Sequence, residues 1–250
     1  MRIISVLSSK GGVGKTTLVT NLSSALSKLG YEVIAIDANF TTPHLATHLG
    51  YHLVPYTLHS VLKDQISLKY AVYSHPCGFK FIPGSIGIED LIDVDMEKLN
   101  DLIKNLDSDF VFIDCAPGIG KEAVGGLKSC EEVLIVTNPE LPSILDALKT
   151  IKLAEMLDKK IIGVVLNRVR RAKFEFKKDK MFSILGENVI AEIPEDANVQ
   201  KSISYKIPVV DLYPNSPASI TITKLAYKIA GLPFFEKKGL VERLVGWMFK

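Results

Sequence analysis

The chain has 250 residues, 47% of them hydrophobic, which suffices for one large α/β domain with a sizeable core. Lys plus Arg number 30 and Asp plus Glu 28, so the formal net charge is +2; bulk charge does not mark a nucleic-acid binder, and such a role needs a local patch. No apolar run approaches the roughly 20 residues that span a bilayer, the N-terminus lacks a signal-peptide layout, and Cys77, Cys115 and Cys130, with no CxxC pair, read as reduced, packed thiols of an intracellular protein.

In chain order, Arg2–Leu7 is almost wholly apolar, as a strand buried on both faces of a parallel sheet must be. A Gly-rich stretch, SSKGGVGKTT at 8–17, follows and opens a helix over Lys15–Leu29. Val33–Ile36 predicts a second strand and Phe79–Ile82 another, then a helix over Met96–Asn105 and a strand over Phe110–Ile113. The remainder alternates strand and helix: Val133–Val136, Pro142–Leu157, Ile161–Leu166, Val189–Ile193 and Ser216–Ala230. Such alternation predicts an α/β fold with a doubly wound, mostly parallel sheet. Gly231-Leu232-Pro233 breaks the chain, so the expected division is a domain over 1–232 and a tail over 233–250.

Phosphates need several donors converging on one point. Consecutive backbone N–H groups in a Gly-rich turn supply them, and the following helix N-terminus adds partial positive charge. Gly11, Gly12, Val13 and Gly14 form that turn. Lys15 reaches the β- and γ-phosphates, the Thr16 hydroxyl binds Mg²⁺, and Thr17 is placed for the α-phosphate. Two strands end in aspartate, Asp37 and Asp114, at the sheet edge where ligands of open α/β folds bind. A Mg²⁺–phosphate centre needs such carboxylates; the alternative for each is a turn or helix cap.

The loop departs from the plain GxxxxGK[ST] pattern: Ser9 replaces the first Gly, and a second lysine, Lys10, sits within it. KGGVGKTT resembles the deviant Walker A loop of the MinD/ParA family of P-loop ATPases, and the likeness extends from Ile3 to Lys250. The resemblance implies ATP/ADP and Mg²⁺ as cofactors, and a homodimer formed with ATP in which Lys10 reaches the partner's nucleotide. The alternative for Lys10 is a solvated loop lysine. It makes DANFTTPHL switch I and DCAPG switch II, with Gly118 sensing the γ-phosphate and Thr16, Asp37 and Asp114 around the metal. Lys10, Lys15, Asp37 and Asn39 then carry the hydrolysis. Asn39 stands where the family pattern has a second Asp, and a neutral amide cannot take the attacking water's proton, so slow hydrolysis is expected. His44 also departs from the pattern and reads as a packed or solvated side chain. By the same resemblance, Asn167 and Arg168 of GVVLNR and Pro194, Glu195 and Asp196 of IPEDANV line the adenine; Asp196 alternatively caps a helix.

Treated as a helix, LVERLVGWMFK gathers Leu240, Val241, Leu244, Val245, Trp247, Met248 and Phe249 on one broad arc, with Lys237 and Lys238 just before it. A basic, aromatic-bearing amphipathic helix lies in a membrane interface; the alternative is docking on a protein surface. The tail resembles the membrane-targeting helix of the family's MinD branch. That implies a cytoplasmic protein, peripheral at the inner face of the cell membrane, which recruits or positions a regulatory or cargo protein, as in cell division. The competing family role is ATP-dependent DNA partitioning of the ParA type, through the basic segment 168–180.

Overall fold

The structure is a computed structural model that describes residues 1–91, 97–170, 172, 175, 178–186 and 189–235. Its strands are β1 (Arg2–Leu7), β2 (Val33–Ala38), β3 (Tyr73–Ser74), β4 (Lys80–Ile82), β5 (Phe110–Cys115), β6 (Glu132–Thr137), β7 (Lys160–Val169) and β8 (Val189–Pro194). They form one sheet in the order β3-β4-β2-β5-β1-β6-β7-β8, parallel throughout except for the β3–β4 edge pair. The helices are α1 (Lys15–Ser27), α2 (Leu45–His48), α3 (Leu58–Leu62), α4 (Lys98–Lys104), α5 (Lys121–Lys128), α6 (Leu141–Met156), α7 (Lys178–Leu185), α8 (Ala197–Ser204), α9 (Val209–Leu212) and α10 (Pro217–Ile229).

Residue alternation in the central strands explains the three layers. Ile3 and Leu7 of β1 join Ile36, Ile113 and Ile135 in one core, under α3 to α7. Ile4 and Val6 face the opposite core with Phe112 and Val136, under α1, α2, α9 and α10. A strand covered on both faces has no polar side, hence its unbroken apolar run. Ser5 is the exception: fully buried, it donates its hydroxyl to the Gly126 carbonyl at 2.8 Å. A Cβ on Gly126 would stand 2.5 Å from the Cys115 sulfur, so α5 accepts a helix-weakening glycine to lie close on the sheet.

The chain builds from β1 out to β3, returns to β5 beside β1, and then adds β6, β7 and β8 on the other side. The order thus reverses next to β1, and the crevice beyond the carboxyl ends of β1, β2 and β5 is the expected ligand position. At the opposite edge, Glu132 accepts from Arg2 (2.8 Å) and Lys160 (2.6 Å). Burial works against its charge, but those two bonds outweigh it and hold its pKa below the usual value. Arg2 also donates to the Ile229 carbonyl, which fixes the end of α10 at the amino end of β1. The chain therefore leaves α10 on the side away from the crevice.

Most elements match their sequence expectation to within a few residues. β7 runs three residues past Leu166, and the helix expected over Met96–Asn105 is Lys98–Lys104, with 92–96 outside the described residues. The tail residues Leu240, Val241, Leu244, Val245, Trp247, Met248 and Phe249, and positions 171, 173, 174, 176 and 177 of the basic segment 168–180, also lie outside them. No helix of the described residues is long and apolar enough to cross a membrane.

Candidate nucleotide-binding site

The loop between β1 and α1 has a backbone suited to an anion. Gly12 (φ 75°) and Gly14 (φ 103°) both lie in the left-handed region, which side chains disfavour. Gly14 is the N-cap of α1, and no side chain caps the helix, so its first N–H groups face the crevice without a side-chain acceptor. Gly14 also has no room for a Cβ, which would fall 2.3 Å from the Asn167 amide nitrogen. Lys15 is buried at 8% exposure and donates to the Ser8 hydroxyl at 2.9 Å. Burial lowers its pKa, against the pull of Asp114. The Ser9 hydroxyl bonds to the Asp146 carbonyl and to Thr150, so the residue in place of the usual first glycine anchors the loop to α6. Lys10 is exposed, its ammonium 3.8 Å from the Glu140 carboxylate.

Asp37 and Asp114 sit directly across from each other on β2 and β5. Neighbouring strands lie about 4.8 Å apart, so two carboxylates share one buried spot. Asp37 is fully buried and accepts the amides of Leu45 (2.8 Å) and Asn39 (3.2 Å); its capping role is real and coexists with its place at the site. Asp114 accepts the Thr16 hydroxyl at 2.5 Å through one oxygen, while its other oxygen, Oδ1, is buried with no partner. Burial drives both pKa values up, that of Asp37 further through the charge of Asp114, and that of Asp114 to about 6. An orphaned carboxylate oxygen beside a threonine hydroxyl is a set of hard oxygen donors that suits Mg²⁺. Among the described residues no group of three or more His, Cys, Asp or Glu forms a metal cage. Mg²⁺ needs none, since it is held by one or two carboxylates with water and phosphate.

The loop after Asp37 is internally tied. The Asn39 amide donates to the Thr42 carbonyl, and the Thr42 hydroxyl returns a bond to Asn39 Oδ1 at 3.1 Å. On the switch II side, Gly118 has φ 92° and donates its amide to the Ser8 carbonyl at 2.9 Å. Together these loops enclose a cleft of about 410 Å³, walled by Gly11, Lys15, Thr16, Asn39, Asp114 and Arg168 among others. His44 and His48 also line it; burial, Lys206 and His44 lower the His48 pKa to about 4.

A second, smaller pocket opens from this cleft past Gly14 and Thr17. Asn167, Arg168, Pro194, Glu195 and Asp196 all line it, so the structure gathers the five residues expected around the base. Three of them, Asn167, Glu195 and Asp196, also make local structural bonds. Asn167 donates to the Val13 carbonyl at 2.7 Å, Arg168 has φ 58°, and Glu195 pairs with Arg170 at 3.7 Å. Asp196 caps α8 through the Asn198 amide (2.9 Å) and accepts from Ala218 (3.3 Å). Val199, Gln200 and Ile203 of α8 and Ile222 of α10 complete the wall. No local motif announced them, because their apolar spacing reads as ordinary helix packing.

The comparisons agree with this geometry. Residues 4–209 match the model of the CobQ/CobB/MinD/ParA nucleotide binding domain. An uncharacterized ATP-binding protein of Methanocaldococcus jannaschii is 36% identical, over 98% of this chain and 96% of its own. The septum site-determining protein MinD of Pyrococcus horikoshii, solved in complex with Mg-ADP, superposes with a TM-score of 0.87 at 34% identity, covering 91% of this chain and 95% of that one. A MinC:MinD cell division protein complex of Aquifex aeolicus contains a chain with a TM-score of 0.85 at 29% identity, covering 95% and 99%. The matched domain contains the left-handed glycine loop, the buried Lys15 and the paired strand-end acids, and the chain belongs to the CobQ/CobB/MinD/ParA nucleotide-binding family.

Proposed function

We propose that this chain is a MinD-like ATPase that binds ATP with Mg²⁺, pairs with a second copy across the nucleotide, and attaches by its tail to a membrane surface, where it recruits a partner protein. The observation that carries the reading is the Asp114 carboxylate: buried, half unpartnered, and bonded to the Thr16 hydroxyl at the mouth of the glycine loop. That arrangement calls for a cation accompanied by phosphate. The dimer rests on Lys10, which is exposed and held by one long, screened ion pair. Around the loop mouth Ile119, Leu141 and Leu145 are each about half exposed, an apolar rim suited to a second copy.

Membrane attachment rests on the sequence of 236–250 together with the exit of the chain from α10 opposite the cleft. A single short anchor binds marginally and reversibly. Two on one dimer gain roughly 10²–10⁴ in avidity, so a nucleotide that makes the dimer also makes the membrane-bound form. Co-sedimentation with anionic lipid vesicles tests this. Protein should pellet with a non-hydrolysable ATP analogue and stay in solution with ADP. Lys10→Ala, or removal of 234–250, should abolish pelleting while Mg-ADP still binds. Pelleting that ignores the nucleotide sinks the dimer link; salt-sensitive DNA binding without pelleting shifts the reading to DNA partitioning.

Hydrolysis is expected to be slow. Asn39 holds its amide in the Thr42 ring, and an amide can orient water without taking its proton. Asn39→Asp should raise single-turnover hydrolysis by about a hundredfold, the low end of the range typical of a positioned general base. An unchanged rate would remove Asn39 as the limiting residue.

A further inference from the structure

The loop that carries Asn39 is gripped from three sides, and one grip crosses to the opposite switch. On the scaffold side, Pro43 packs where a Cβ on Gly84 would come within 2.6 Å of it, so the chain just after β4 leaves a glycine-sized seat for the loop. Beneath, Phe40 is buried and meets the ring of His59 edge-on, with centroids 5.1 Å apart. His59 is fully buried, and its Nδ1 accepts the Ser85 amide at 3.0 Å. These two contacts are packed and apolar. The third is charged and exposed: the Glu122 carboxylate accepts both donors of Thr41, the main-chain amide at 3.2 Å and the hydroxyl.

Glu122 lies in the first turn of α5, where a negative charge is favoured by the helix dipole and no side chain caps the N-terminus. That helix begins three residues after Gly118, whose amide holds the Ser8 carbonyl at the start of the phosphate loop. The contacts form a closed circuit: phosphate loop to Gly118, α5 to Glu122, Glu122 to Thr41, and Thr41 back along the loop to Asp37 and its neighbour Asp114. Nothing in the nucleotide cleft needs Glu122, which does not line it.

We propose that Glu122 is a positioning residue that clasps switch I to the helix following switch II, so that the two loops respond to the γ-phosphate as one body. The inference rests on the nucleotide reading above and deepens it. Both loops line the cleft, through Asn39 and Thr42 on one side and Pro117 on the other, so a γ-phosphate bound there would load the circuit, whereas ADP would reach the phosphate loop without doing so. Releasing the clasp should therefore weaken the triphosphate state and spare the diphosphate state.

The test is equilibrium binding of Mg-ADP and of a Mg-bound non-hydrolysable ATP analogue to the full chain. It needs no turnover. In Glu122→Ala the analogue should bind about tenfold more weakly, the loss typical of hydrogen bonds to a charged group, with ADP affinity changed by less than about twofold. Glu122→Gln should recover only part of the difference, because its neutral amide keeps one accepting oxygen for the two donors of Thr41. Thr41→Val should lose part of it, and the Glu122→Ala, Thr41→Val pair should be no worse than Glu122→Ala alone. Additive losses, equal losses for both nucleotides, or a lowered Tm with an unchanged affinity ratio would each overturn the clasp. A wild-type chain that binds no Mg-ADP overturns the nucleotide reading itself and the clasp with it.

Discussion

Lys15→Ala should reduce Mg-ADP affinity by about a hundredfold or more while leaving the fold intact. The ammonium sits at 8% exposure at the start of α1, bonded to Ser8 within the loop. A buried lysine is costly, and burial indeed lowers its pKa here. The site keeps this charge where apolar packing would be cheaper, which makes sense if an anion completes it. Hydrogen bonds to charged groups contribute about 1.5–3 kcal/mol each, and a water-poor cleft places them at the top of that range; two phosphate contacts then give a hundredfold or more. Removing Lys15 takes a buried charge out of the free protein but also takes away the cation that favours the charged form of Asp114, so thermal unfolding without nucleotide is measured beside the titration to show that the variant is folded. Calorimetric titration of both proteins with Mg-ADP decides the matter. Affinity within about fivefold of wild type would mean that the backbone amides and helix dipole alone hold the phosphates.

The site was more legible in the sequence than the grips that support it, and the reason is range. Gly12, Gly14, Lys15 and Thr16 act within one turn of chain, so their spacing records their geometry. Asp37 and Asp114 were readable because each ends an apolar run, and parallel pairing of β2 with β5 then sets them side by side. The Glu122 clasp and the Phe40–His59 contact leave no such trace. Thr41 and Glu122 are 81 positions apart, and Phe40 meets His59 through packing against α3. α5 was missed because KEAVGGLK carries two glycines, which argue against a helix until Cys115 shows why one must be there. β3 was missed because it is two residues long and survives as an antiparallel edge on β4. The Ser9 departure was visible as an irregularity, but its cause, the bonds to α6, is tertiary.

The paired acids predict a trade between stability and function. Burial raises the folded-state pKa of Asp114 from the ordinary 3.8 to about 6. A carboxyl group whose pKa is raised on folding binds more protons folded than unfolded, so stability falls as pH rises between the two values. The penalty is absent below about pH 4, grows through about pH 6 and is complete at neutral pH. Its size at pH 7.5 is on the order of 3 kcal/mol for Asp114, and Asp37, raised further by the charge of Asp114, acts in the same sense. Asp114→Asn removes a charge that lacks a full set of partners but keeps an oxygen for the Thr16 hydroxyl. Without nucleotide the variant should therefore be more stable than wild type at pH 7.5, by roughly that amount in urea unfolding, and the two should converge near pH 4. With Mg-ADP the order should reverse. A cation supplies the missing partner to the wild-type carboxylate and stabilises the folded state by mass action, whereas a neutral amide binds Mg²⁺ poorly. ADP with EDTA in place of Mg²⁺ should leave the variant ahead. If Asp114→Asn were instead less stable at every pH, the carboxylate would be a structural bond to Thr16 and not a waiting metal ligand.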